Sequence, residues 1–454
     1  MFLDMEVSMN MKNGVYTSLD IGTTSIKVVV SEVDNNQLKV IGVGKAQSKG
    51  LKRGMVVDID ATVQAIHTAV KQAADKTGVM INQLIVGVPA NGVSIEPCHG
   101  VITVDDRSKE IDSQEVNRVV NQSIANIVPP DRDLLSVSLE EFIVDGFDEI
   151  HDPRGMVGQR LELYGTAISV PKTILHNIRR CVEKAGYQIA ALILQPQAMA
   201  KVALSEDERN FGTVMVDIGG GQTTLSAIHD EQVKYANVVQ EAGEYITKDI
   251  SIVINTSQQN AEKLKREVGA IKSQSDSTVQ VDVVGQNEPV KIKESYVGEI
   301  IEARISQIFE KVKADLDPIN AFQLPGGAVI SGGSAAIPGI DSLAEDIFKV
   351  RSELYIPDYM GIRTPAFTVA VGLTLYQAQT SDIERAINQS ILQNIGINPD
   401  SQPANRIVDQ DDSVQSQDQK TQDEPAGDQA SQSDSPEEGN FTDRIKHFFT
   451  TFFD

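Results

Sequence analysis

Cysteine occurs only twice in this chain of 454 residues, as Cys98 and Cys181, with neither a CxxC spacing nor a ligand set suited to a metal. That scarcity excludes a disulfide scaffold and a thiolate metal centre, and it predicts two small buried residues in a reducing compartment, the cytoplasm. Positive charge is scarce too: 40 Lys and Arg against 64 Asp and Glu leave a formal net charge of −24. A general nucleic-acid partner is excluded on that ground, because phosphate backbones are held by basic surfaces. No uncharged apolar run reaches the roughly eighteen residues that a membrane-spanning helix needs. The opening MFLDMEVSMNMKNG has neither the basic n-region nor the apolar h-region of an export signal, and Met9 and Met11 are alternative starts.

What is present is a body too long for one hydrophobic core, which predicts two or more lobes. The strands YTSLDIG, IKVVVSEV, QLIVGVP and AALILQP alternate with helical patterns over 61–77 and 171–186, the signature of α/β layers. A second α/β half opens at GTVMVDIGGGQTTLSAI and runs to about 379. An acidic linker is placed at 383–439, its composition plainest over 398–439, where eleven acidic residues stand against Arg406 and Lys420. Too few apolar groups lie there to offset ordering entropy, so the segment reads as disordered and self-repelling.

The two halves echo each other. LDIGTTSIKVVV, from Leu19, and VDIGGGQTTLSA, from Val216, both read as strand, Asp-Ile-Gly, small polar turn, strand. One such turn is what any tight hairpin prefers; two in order point to one fold used twice. Gly22, Thr23, Thr24 and Ser25 in the first turn, and Gly219, Gly220 and Gly221 in the second, let backbone N–H groups crowd around an anion, with phosphate the natural guest. Asp20 and Asp217, ending the strand before each turn, suit Mg²⁺, which prefers one or two carboxylates beside phosphate oxygens. Two further elements are the strand-to-helix passage AVISGGSAAIPGI and the helix AEKLKREVG, which sets Glu262, Lys265 and Arg266 at i, i+3 and i+4 on one face. A plain strand-to-helix turn and a solvated, salt-bridged helix are the competing readings of these two.

The order DIGTT, ILQPQAMAKVAL, DIGGG, AEKLKREVG, ISGGSAAIPGI resembles the actin, Hsp70 and sugar-kinase ATPase superfamily. Within it the chain is similar to the FtsA family, on SLDIGTTSIKVVVSE, on GLKRGMVVDIDA (50–61), on LSEDERNFG before the second turn and on an amphipathic C-terminus after a linker. The resemblance implies a duplicated RNase H-like, actin-like α/β fold of two lobes with a small inserted α+β lobe, ATP and Mg²⁺ in the cleft, and weak or absent hydrolysis. It places the phosphates between Gly22, Thr23, Thr24 and Gly219, Gly220, Gly221, with Mg²⁺ at Asp20 and Asp217. The adenine would lie by Gly332, Gly333 and Ser334, and the adenosine under Glu262, Lys265 and Arg266. Gln195, in LQPQA, stands where such proteins orient the attacking water. Departures are Gln222 for a hydroxyl donor, Leu225 for an acid, and Ala242-Gly243 where two glycines are usual. Backbone amides supply most of the cradle, so binding is expected to survive them better than hydrolysis.

The units so implied are a disordered N-terminus at 1–14, lobe 1A at 15–89 and 165–210, an inserted lobe 1C at 90–164, and lobe 2A at 211–240 and 317–382. Lobe 2B follows at 241–316, then the linker at 383–439 and an amphipathic membrane-targeting helix at 440–454. The family's partners would be FtsZ, bound through its C-terminal tail near Arg304 on the helix KESYVGEIIEARISQIFEKVKADL, other divisome proteins, and copies of itself in a filament. In the last segment Phe441, Ile445, Phe448, Phe449, Phe452 and Phe453 form one helical stripe, with Arg444 and Lys446 on or beside the polar face. Such a helix lies in the interface of an anionic membrane, on the cytoplasmic side at the division septum; docking on a protein groove is the other reading. A chaperone or sugar-kinase relative, with hydrolysis or phosphotransfer as its main activity, is the alternative for the whole chain.

Overall fold

The computed structural model describes residues 11–104, 110–273, 275–399 and 405–407. Its first compact unit ends at Ile407; the second, Val408–Asp454, lies outside the described residues.

Strands β1 (Gly14–Ile21), β2 (Ser25–Asp34) and β3 (Gln37–Gln47) form an antiparallel meander. A small ribbon, β4 (Leu51–Lys52) and β5 (Met55–Val56), leads into helix α1 (Ile59–Thr77), whose first turn is capped by the Asp58 side chain. Next come β6 (Val79–Met80) and β7 (Gln83–Val88), the latter pairing parallel to β1. The inserted lobe follows as β8 (Ser94–Thr103), α2 (Ser113–Ile124), β9 (Arg132–Val144), β10 (Phe147–Ile150) and β11 (Arg160–Pro171), its sheet ordered β10-β9-β11-β8. Strand β11 keeps its ladder to both neighbours well past 164, so the lobe has no break at the expected boundary. Helix α3 (Lys172–Lys184), strand β12 (Gln188–Leu194) and helix α4 (Gln195–Ala203) complete the first half.

The second half repeats the plan. After α5 (Glu206–Phe211), strands β13 (Thr213–Ile218), β14 (Thr223–His229) and β15 (Gln232–Val239) form another meander. Helices α6 (Gly243–Ile254) and α7 (Gln258–Glu267), the ribbon β16 (Thr278–Val281) and β17 (Val290–Lys293), and helix α8 (Glu294–Leu316) build the next lobe. Then come β18 (Ala328–Ser331), α9 (Ile340–Phe348), β19 (Ser352–Leu354), α10 (Thr368–Gln379), α11 (Asp382–Asn394) and β20 (Arg406–Ile407). The sheet orders β3-β2-β1-β7-β12 and β15-β14-β13-β18-β19 are one topology used twice: three antiparallel strands, then two parallel ones. That is the duplication the paired Asp-Ile-Gly turns announce, in an actin-like α/β fold with an inserted α+β lobe.

Each half has its own core. Leu19, Val28, Ile66, Val86 and Leu194 are fully buried in the first, and Val216, Ile305, Ile308, Phe309 and Ile330 in the second. Both thiols are buried, and burial pushes Cys181 up to about 11. The expected linker start at 383 is corrected: 382–394 is helix, opened by a capping box between Ser381 and Glu384. Ile383, Ile387 and Ile391 recur every fourth residue and bury against the inserted lobe, so average acidity there conceals an apolar stripe.

Candidate functional site

The hairpin registers define the two turns. Ile21 faces Ile26 and Ile218 faces Thr223, so each loop holds four residues, 22–25 and 219–222. Both line one cavity of about 370 Å³ between the halves. Where they meet, a Cβ on Gly220 would lie 1.7 Å from Thr24 Oγ1, and one on Gly221 2.6 Å from the Thr23 methyl. Glycine is therefore required here by the approach of the opposite turn.

One register step back stand the carboxylates. Asp20 is the cross-strand partner of Lys27, whose buried ammonium donates to Asp20 Oδ2 at 2.8 Å; Gln195 Nε2, at the start of α4, donates to the other oxygen at 3.2 Å. Asp217 has Thr224 in the corresponding place, with no cation opposite. Burial, reinforced by the like charge of Asp20 and opposed by Lys27, pushes Asp217 up to about 6. A buried carboxyl whose charge is opposed by a like-charged neighbour is donor chemistry that a divalent cation relieves. Among the described residues no cluster of three or more His, Cys, Asp or Glu could hold a metal, so a cation here would take its remaining ligands from phosphate and water. Lys27 was not read from the sequence; the signal was its place one step beyond the turn, directly across from Asp20.

Strand β18 ends beside the second turn. Gly332 has φ +99°, and a Cβ there would fall 2.2 Å from Asp217 Oδ1 and 2.5 Å from the Ile218 carbonyl. Ser334 Oγ donates to the Gly219 carbonyl at 2.7 Å, tying the passage to the turn, while a Cβ on Gly333 would meet the Ala366 methyl at 3.7 Å, an ordinary contact. We expect Gly332→Ala to cost about 1–3 kcal/mol through left-handed strain and this crowding, read as a lowered thermal midpoint. An unchanged midpoint would show that the passage can shift freely.

From the other wall, α7 brings Glu262, Lys265 and Arg266 to the cavity as one ionic cluster. Lys265 Nζ donates to Glu262 Oε2 at 2.7 Å, to Thr247 Oγ1 at 2.9 Å and to the Gly243 carbonyl at 3.0 Å. Burial lowers its pKa despite Glu262; burial would raise Glu262, but hydrogen bonds from Lys265 and Thr247 outweigh it and hold that carboxyl low. Lys45 on β3, also absent from the sequence reading, lines the same cavity, lowered by burial and by the like charges of Lys27 and Arg266. The departures are absorbed: Ala242 adopts extended φ −166°, open to any residue, Leu225 is core, and Gln222 lies in the cavity wall against Gly54.

Arg304 lies away from this cavity and differs from its expected state. Its guanidinium is not an exposed free cation but is paired with Asp249 and Glu241 and sits 5.6 Å from the Tyr245 ring centre. The expected membrane-binding residues Phe441, Arg444, Ile445, Lys446, Phe448, Phe449, Phe452 and Phe453 lie outside the described residues. Among the described residues no helix is long and apolar enough to cross a membrane.

Comparison with known proteins accords with this fold. Residues 214–372 match the family model for cell division protein FtsA, and 90–169 match that for the SHS2 domain inserted in FtsA. The chain is 46% identical over 446 residues to cell division protein FtsA of Enterococcus faecalis, covering 98% of this chain and 100% of that one. It is 41% identical over 375 residues to that of Bacillus subtilis, covering 82% and 85%. Among solved structures it resembles the PilM-PilN type IV pilus biogenesis complex, with TM-score 0.55, 18% identity, and 82% and 100% coverage. It also resembles MreB5 of Spiroplasma citri bound to ADP, with TM-score 0.51, 14% identity, and 80% and 96% coverage.

Proposed function

The chain belongs to the FtsA family of cell division proteins, and on that premise we propose that it grips ATP with Mg²⁺ between its lobes, polymerises, binds FtsZ and tethers it to the cytoplasmic membrane at the septum. The observation that carries the nucleotide reading is the facing pair of turns with Asp20 and Asp217 at their base. MreB5, of like fold, is described bound to ADP and to AMPPNP. Backbone amides at Gly22, Thr23, Thr24 and Gly219, Gly220, Gly221 would hold the phosphates, and a bound Mg²⁺ would screen their charge from the two carboxylates. Gly332, Gly333 and Ser334 would border the adenine, and Glu262, Lys265 and Arg266 would close over the adenosine. Gln195, already donating to Asp20, would orient water, which needs a polar group and no strong base; turnover should be slow. Titration of the full-length protein with ATP, with and without Mg²⁺, tests this reading: saturable, Mg²⁺-dependent binding supports it, and none at millimolar nucleotide ends it.

The FtsZ tail and later division proteins are the proposed partners, with the tail in a groove between α6 and α8. That groove joins exposed Ile252 (65%) and Val253 (48%) to Asp249, Ile300, Ala303 and Arg304. Because Arg304 is held by two carboxylates, Arg304→Glu would set three acids together and should weaken binding and folding at once. Ile252→Asp separates these effects. We expect it to reduce FtsZ co-sedimentation about tenfold, the loss of one apolar anchor, with unchanged ATP affinity; wild-type co-sedimentation would remove this groove.

A further inference from the structure

The chain does not leave the body at the end of α11. Ile397 is buried in the core of the first half, Arg179 Nη1 donates to the Ile395 carbonyl at 2.9 Å, and Gln83 Nε2 donates to the Pro399 carbonyl at 2.7 Å. Further on, Asn405 spends its whole amide on the rim of the first sheet. Its Oδ1 accepts from the backbone N–H groups of Asn82 at 2.8 Å and Gln83 at 3.0 Å. Its Nδ2 donates to the Gln83 carbonyl at 2.8 Å and to the hydroxyl of buried Thr17 at 3.1 Å. Two donors and two lone pairs are all that a primary amide possesses. The partners also fix its orientation, since a reversed amide would set donors against N–H groups and oxygen against a carbonyl. The next two residues continue the contact as β20, with Arg406 opposite Met80 and Ile407 opposite Val79 of β6.

We propose that Asn405 pins the root of the C-terminal tail to the β6–β7 connection of lobe 1A, so that the tether starts from that point and not from the end of α11. The consequence for tethering rests on the membrane-anchor reading; the clasp itself does not. Counted from Ile407, the span to residue 440 is about thirty residues, a root-mean-square reach of about 30 Å as a coil, from one fixed origin on the body. Asparagine is specified chemically: aspartate keeps the shape and the acceptor but loses both donors and sets a charge against the Gln83 carbonyl.

Cross-linking of the full-length protein tests the clasp, because both native thiols are buried. Antiparallel partners stand about 4.5–5.5 Å apart at Cα, within disulfide range. A Met80→Cys, Arg406→Cys pair should therefore close under mild oxidation about tenfold faster than Met80→Cys with Ser413→Cys, and Asn405→Asp should abolish that advantage. Equal rates for the two pairs, or an unchanged rate after Asn405→Asp, would overturn the clasp. Flotation of the locked pair with anionic vesicles then tests the origin of the tether. Retained flotation supports it; flotation lost on locking and restored by reduction means that the strap must open and overturns it. Absence of flotation in both states would overturn the anchor reading while the cross-linking result stood.

Discussion

Asp217→Asn is expected to make the nucleotide-free protein more stable at neutral pH and to abolish its Mg²⁺-dependent response to ATP. Asp217 is pushed up to about 6 from an ordinary 3.8 by burial and by Asp20. A carboxyl whose folded pKa lies above its unfolded value favours folding fully below about pH 4, and that contribution disappears as pH rises through about 6. At pH 7 the Asp217 carboxyl is above its raised value and mostly charged, beside the like charge of Asp20, and one pKa unit is worth about 1.4 kcal/mol. Since the Asp217 carboxyl is not wholly sealed from solvent, about 1–2 kcal/mol is the reasonable gain for the neutral isostere. The other half of the effect has the opposite sign. Saturating a site at a hundred times its Kd stabilises the folded state by about 2.7 kcal/mol, and removing one of the two proposed cation ligands should remove nearly all of this. Thermal melts from pH 5 to 8, with and without ATP and Mg²⁺, read both effects. Wild-type protein should lose stability between pH 5 and 7 without nucleotide and recover it with nucleotide; the variant should do neither. A variant that melts lower at pH 7 and still responds to Mg²⁺-ATP would remove Asp217 from the cation site.

The parts of this site legible in the sequence are those whose chemistry is local. The four-residue turns, the Asp before each and the cationic face of α7 are read within ten residues of themselves, and the structure sets them around one cavity. Lys27 needed the hairpin register as well as composition. The ion pairs of Arg304 were not legible because its partners, Asp249 and Glu241, stand more than fifty residues away, and only the fold brings them together. Helix α11 is a different case. Its capping box and its Ile383, Ile387, Ile391 stripe are local, but averaging charge over a long window dissolved them into the linker. Asn405 gives no local signal at all: one amide in a polar tract is recognised only by the half-buried backbone groups at the start of β7 that it satisfies.

The largest expected effect belongs to the chain's end: Phe448→Glu with Phe449→Glu should abolish flotation with anionic vesicles and leave ATP affinity unchanged. At helical spacing the two rings would be neighbours in a stripe with Phe441, Ile445, Phe452 and Phe453, which would put the pair at the middle of the apolar face. Full burial of one large apolar side chain is worth roughly 1.5–3 kcal/mol; partial burial at an interface gives less, and ordering the helix takes back a share. A single tail should then bind reversibly. Losing two rings and adding two anions against anionic lipid exceeds that margin by several kcal/mol, a drop of roughly three orders of magnitude. Linked copies gain about 10²–10⁴ in avidity without a new contact, so filaments would partly rescue a weak single substitution but not this pair. Phe448→Glu alone should therefore float when ATP and FtsZ are present and fail in their absence, while the double variant fails in both. Wild-type flotation of the double variant would mean that the stripe docks on protein and that the membrane is held elsewhere.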